Sequence, residues 1–181
     1  MNKPLVYIIL LSFLGSISLY SQQKYYTKSG YVTFDSRIDS FVPIKAANNS
    51  LSAVFDTNNG DIAALAFIKD FNFKNSLMQE HFNESYAESD LYPKTTFSGN
   101  LLNYKSKISG VYLINGIFNF HGVKKELDKI PFVVEFFDDY IKITGEFALN
   151  ISDFNIKVPK IVKSKIPSKM YVYVDMNLIS N

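Results

Sequence analysis

The chain contains no cysteine. That removes disulfides, thiolate nucleophiles and cysteine-based metal sites, together with the lipid-modified cysteine that would anchor a bacterial lipoprotein. Glycine is sparse, with 8 in 181 residues, and none fall into a P-loop or a G-x-G-x-x-G turn, so no phosphate-cradling loop is legible. Excess charge of one sign is also missing: 19 Lys and Arg face 17 Asp and Glu, a formal net charge of +2. Such a chain has no strong field to draw it to nucleic acid, and it carries no RNP-like, zinc-finger or helix-turn-helix pattern. Nucleic acid is therefore set aside as a partner. No G-x-S-x-G elbow is present, and no Ser, His and Asp set can be picked out by motif.

What is abundant is apolar and aromatic: 47% hydrophobic residues, with 16 Phe and 12 Tyr. That composition favours strands and supplies flat apolar surface suited to lining a cavity. The length predicts one domain, large enough to bury its own core without staples. The one long apolar run, Leu5 to Leu14, follows Lys3 and precedes the small residues Gly15, Ser16, Ser18 and Ser21. This is the pattern of a secretory signal peptide over residues 1–21, with cleavage after Ser18 or Ser21. Read instead as an uncleaved anchor, it falls short of the roughly 20 residues that comfortably span a bilayer. Export, to a periplasm after cleavage, is the expected localisation.

Along residues 22–181, short strand-like runs alternate with turn residues. Leu51 to Thr57 and Ile62 to Ile68 flank Asn58-Asn59-Gly60-Asp61, a strong hairpin signal. Period-two alternation puts Ile62, Ala64, Ala66 and Ile68 on one face. Further strands are expected at Tyr31 to Phe34, Thr95 to Leu102, Val111 to Phe120, Phe132 to Phe137, Tyr140 to Leu149 and Met170 to Ile179. Asp138-Asp139 is the expected tight turn. One helical insertion, about residues 76–89, is predicted from the spacing of Leu77, Met78 and Phe82. Ser76 and Gln79 suit a capping box there, and Pro93 closes the insertion. Ile38 to Ala47 and Pro159 to Lys169 are the weakest assignments. Many short strands with one short helix predict an all-β antiparallel barrel or sandwich.

Three stretches carry more than this. Leu77 to Phe97 packs His81, Glu80, Glu84, Glu88, Asp90, Tyr86 and Tyr92 between apolar runs. Gly116-Ile117-Phe118-Asn119-Phe120-His121-Gly122-Val123 is a glycine-to-His-Gly-Val strand. Phe147 to Pro159 closes as F-A-L-N-I-S-D-F-N-I-K-V-P. In that order they resemble the YceI-like family, with a departure at Asn119, where the family more often has Thr. The resemblance implies a lipocalin-like barrel that binds a lipid or polyisoprenoid in a Gram-negative periplasm, without catalysis and with no cofactor beyond such a ligand. It also leaves room for a homodimer.

On that basis the inward-type residues Ile62, Ile68, Phe97, Ile114, Phe118, Phe120, Ile143, Phe147, Leu149, Val172 and Val174 are candidates to line a ligand chain. His81, Tyr86, Tyr92 and His121 are candidates for the mouth or a headgroup. The lysines from Lys157 to Lys169 offer either a solvated loop or transient docking to an anionic membrane surface. Two other readings stay open. Small barrels are often filled by their own side chains, which would make this a structural or interaction protein. His81, Glu84 and Glu88, at spacings of three and seven, share one helical face and could hold a metal for catalysis, although no facing helix supplies further ligands.

Overall fold

The computed structural model describes residues 24–37, 43–161 and 166–180. The leader at 1–21, residues 38–42 of one weak assignment, and Lys163 and Lys165 lie outside the described residues. Eight long strands are β1 (Lys24–Asp35), β2 (Lys45–Asp56), β3 (Asp61–Phe67), β5 (Lys94–Leu101), β6 (Gly110–Phe120), β7 (Val123–Phe136), β8 (Ile141–Asn150) and β9 (Lys169–Ser180). A two-residue strand, β4 (Asn72–Phe73), adds to the edge of β2. Neighbours run β1-β9-β8-β7-β6-β5-β3-β2, and β1 pairs with β2, so the antiparallel sheet closes on itself as a barrel. Closure removes the exposed edge that an open sheet would present.

Alternation explains which residues fill it. On β9, Val172, Val174, Met176 and Leu178 are buried while Asn177 and Ile179 are exposed. On β6, Tyr112, Ile114 and Phe118 point inward, and Val111, Leu113 and Ile117 stay on the outer wall. The expectation of a strand from Phe132 to Phe137 was too short, since β7 begins at Val123. A bulge at Lys129 (φ 51°) is the cause. Buried Leu127 is followed by Ile130 rather than by residue 129, so the two-residue period shifts by one and the first half loses its apolar rhythm. The facing strand shows the matching register shift between Ile114 and Gly116.

The helix α1 (Ser76–His81) starts as expected, but its cap is Asn75 rather than Ser76. Extended backbone at Asn75 aims its Oδ1 at the Met78 N–H, 3.1 Å away, satisfying one of the free donors of the first turn. Gln79 does not complete a capping box; its Oε1 accepts from the Phe73 N–H at 3.3 Å, tying the helix to β4. A π-helical turn, Phe82–Tyr86, continues α1, with the Ala87 N–H bonding to the Phe82 carbonyl at 2.8 Å. Met78, Phe82 and Tyr86 recur every fourth residue, and the wider π turn offsets the drift that such spacing has in an α-helix. All three side chains therefore meet one cavity.

Candidate ligand-binding site

The two ends of the barrel are built differently. At one end the strands are joined by tight or short connections, residues 57–60, 102–109 and 137–140. The interior there is solid: Phe55, Ile114, Ile143, Val134 and Leu178 have no exposed surface, and Met176 has 2%. At the other end β6 and β7 are joined by a tight turn, but two connections are long, and residues 68–93, 151–161 and 166–168 fold over the opening. Beneath them lies an apolar cavity of about 170 Å³.

Its walls come from strands and connections together. Phe118, Phe120, Leu149, Val172 and Thr95 project from the barrel, while Met78, Phe82 and Tyr86 come from the helical insertion and Ile156, Val158 and Ile166 from the crossing to β9. Two aromatic groups shape the opening. Phe34 lies 5.3 Å from Phe71, 5.6 Å from Phe73 and 5.2 Å from Phe82, ring to ring. Phe154 packs edge-on against Phe118 at 5.9 Å and Phe120 at 5.7 Å. Polar groups are few, and the Thr95 hydroxyl already donates to the Asn119 carbonyl at 2.8 Å. Such a site gains from excluding water and has little to offer a polar ligand.

A smaller lobe of about 50 Å³ lies deeper, bounded by Phe97, Phe132, Phe147 and Val174. Phe97 runs nearly parallel to Phe132 at 6.3 Å and stacks towards Phe147 at 6.4 Å. The Phe132 ring lies on Gly145, where a Cβ would come within 2.5 Å of it, so glycine makes room for the ring. Val32, Thr95, Phe118 and Val172 border both spaces and form a waist between them. A third depression, about 780 Å³, is an open groove on the outer wall with Asp56, Asp61, Glu126 and Asp128 along it, and it lacks the enclosure of the mouth cavity.

A polar clasp ties the covering segments together beside the cavity. His121, in the β6–β7 turn and 8% exposed, bonds through Nδ1 to the Phe154 carbonyl at 2.9 Å and through Nε2 to Glu88 Oε2 at 2.7 Å. The carbonyl can only accept, so Nδ1 carries the hydrogen of that bond. The Tyr92 ring lies 4.5 Å from the imidazole. Glu88, His121 and Asn155 all take positive φ (44°, 52° and 55°), each costing roughly 1–2 kcal/mol for a residue with a Cβ. Gly122, at φ 74°, avoids that cost and also a clash, since a Cβ there would meet Tyr92 at 2.7 Å. On the outer rim the Arg37 guanidinium bonds Glu146 and lies 3.6 Å over the Tyr171 ring. Burial raises the Asp35 carboxyl, but the Arg37 N–H and the Lys45 ammonium outweigh it and hold the group below its usual range.

The structure distributes the sequence candidates among distinct places. Phe118, Phe120, Leu149 and Val172 line the mouth cavity; Ile62, Phe97, Phe147 and Val174 surround the deeper lobe, which Phe118 and Val172 also border. Ile114 and Ile143 sit in the solid half, and Ile68 is buried in a 3-10 turn after β3. Of the mouth candidates, Tyr86 lines the cavity, His121 and Tyr92 form the clasp, and His81 stands exposed. Among the described residues no three His, Asp or Glu side chains are placed to hold a metal; Glu88, expected on one face with His81, turns to His121 instead. Sequence reasoning missed the contributions of Phe34, Phe71, Met78, Phe82, Phe154 and Ile156. The alternation of Ile156 and Val158 with Asn155 and Lys157 was the available signal.

Comparison with known proteins agrees with the barrel fold. Residues 21–178 match the family model described as the YceI-like domain. Among solved structures, a polyisoprenoid binding domain from Saccharophagus degradans, implicated in plant cell wall breakdown, superposes with a TM-score of 0.73 at 11% identity. The match covers 89% of this chain and all (100%) of that one. BcnA of Burkholderia cenocepacia gives 0.68 at 15% identity, covering 84% and 96%. A YceI protein of Campylobacter jejuni gives 0.56 at 16% identity, covering 76% and 85%. No curated protein matches.

Proposed function

The chain belongs to the YceI-like family, and from that premise we propose that it is a non-catalytic carrier of an apolar, lipid-like ligand such as an isoprenoid or fatty chain. The observation that carries this is the apolar cavity at the mouth of the barrel. A dry apolar cavity gains most from an apolar guest, at roughly 0.8 kcal/mol for each methylene removed from water before ordering costs. The polyisoprenoid binding named for the Saccharophagus domain supports the ligand class. Absence of catalysis is part of the reading: both ring nitrogens of His121 are engaged, and His81 is exposed.

The test is native mass spectrometry of the protein purified from a periplasmic fraction, followed by organic extraction. A stoichiometric lipid, released on denaturation from a chain lacking residues 1–21 or 1–18, is the expected result. A clean apo mass, with no uptake of offered isoprenoids or fatty acids, would overturn the carrier and leave a filled barrel. The same spectrum reads the oligomeric state. Pairing of two copies belongs to this reading, and the exposed stripe of Val111, Leu113, Ile117 and Val133 on the outer wall is the surface offered for it.

Loading from a membrane surface completes the proposal. Lys157 and Lys160 are exposed beside the opening, and Ile161, next in the crossing, is 88% exposed. A lysine near an anionic leaflet contributes roughly 1 kcal/mol, and an apolar tip adds insertion. Co-sedimentation with phosphatidylserine vesicles should fall about tenfold or more when Lys157 and Lys160 are both replaced by Glu. Equal sedimentation of both proteins would rule out docking through this segment.

A further inference from the structure

The mouth cavity is too small for a long chain. Its roughly 170 Å³ compares with about 300–1,000 Å³ for ordinary small-molecule pockets and about 150 Å³ for an apolar cavity that takes one benzene. The way deeper is closed twice. The waist of Val32, Thr95, Phe118 and Val172 separates it from a lobe of about 50 Å³ floored in part by Met176, and beyond that lobe Ile114, Val134 and Ile143 are wholly buried. Phe118 is the largest side chain of the waist, and it is braced by Phe147 at 5.8 Å and Phe154 at 5.9 Å. Thr95 cannot swing aside without losing its bond to Asn119.

We infer that the barrel is a length-limited receptor. It engulfs only the terminal six to ten or so carbons of an apolar chain, and Phe118, backed by Val32 and Val172, sets the stop. The rest of a longer ligand runs out along Met78, Phe82, Ile156 and Val158, under the covering segments. This rests on the carrier reading and specifies its ligand: a short chain, or the tail end of a long one.

Titration with straight-chain fatty acids from hexanoate to palmitate tests it. Affinity should rise about fourfold per methylene while carbons enter the cavity, then flatten to less than twofold per carbon beyond about decanoate. Phe118→Ala should join the two spaces and carry the steep rise on by two to four carbons, favouring myristate by roughly tenfold or more over the unaltered protein. Val172→Ala opens the same waist and serves if the first variant does not fold. Ile143→Val, in the solid half, should leave the limit where it was. A steep rise in the unaltered protein through palmitate would overturn the stop and keep the carrier. A limit unmoved by either waist variant would overturn the role of Phe118. No binding by any member of the series would overturn the carrier itself.

Discussion

Phe55→Ala is expected to lower the free energy of unfolding by about 3–5 kcal/mol while leaving ligand uptake at the mouth unchanged. Phe55 has no exposed surface and lies on β2 opposite Tyr25 and Ile62, its ring edge-on to Tyr104 at 5.7 Å. Removing the ring forfeits its transfer out of water and leaves a void that the closed end has little means to fill. That end is rigid because its neighbours are themselves fixed: the Tyr104 hydroxyl donates to the Thr57 carbonyl at 3.2 Å, and Leu101, Ile141 and Leu178 show at most 1% exposure. Urea unfolding gives the stability change, and fatty-acid titration of the same variant gives the uptake. A stability loss under 1 kcal/mol would mean that the closed end collapses around the void. Altered uptake would mean that the two halves are coupled, contrary to the division proposed between a solid end and a receiving end.

That division was not legible in the sequence, although the barrel was. Ile114, Phe118 and Phe120 share one face of β6 and look alike as letters, yet Ile114 is in the solid half and Phe120 on the cavity. Period two says which way a side chain points; it does not say what stands across the barrel from it. The cavity also depends on residues whose contribution is set by connections. Phe82 and Tyr86 reach it because a π turn holds them on one face, and Ile156 reaches it because the crossing folds back after Asn155 takes positive φ. The helix was readable from spacing, but its cap fell one residue early, since Asn75 and Ser76 are both competent acceptors and only the backbone decides between them. In β7 a single bulge at Lys129 hid half a strand.

His121→Ala is expected to be the most consequential change at the open end, costing about 2–3 kcal/mol and speeding ligand exchange. The imidazole joins three segments that no strand pairing connects: the end of the helical insertion through Glu88, the β6–β7 turn, and the Phe154 turn whose ring walls the cavity. Removing it strands the Phe154 carbonyl and leaves Glu88 without its partner. The carboxylate is 39% exposed, so water recovers part of that loss. Tyr92 loses its ring contact as well. Glu88→Gln separates connection from charge. The Gln amide can donate to a neutral Nε2 while Nδ1–H keeps the Phe154 carbonyl, so this variant should stay within about 1 kcal/mol of the unaltered protein. Urea unfolding reads the stabilities, displacement of a bound fluorescent fatty acid reads the exchange rate, and hydrogen exchange over residues 76–92 reads the opening. Faster exchange in His121→Ala with rising amide exchange confined to the covering segments is the pattern of a clasp. Unchanged exchange with a plain loss of stability would make His121 a core histidine and nothing more, and the ligand would then enter without the covering segments moving.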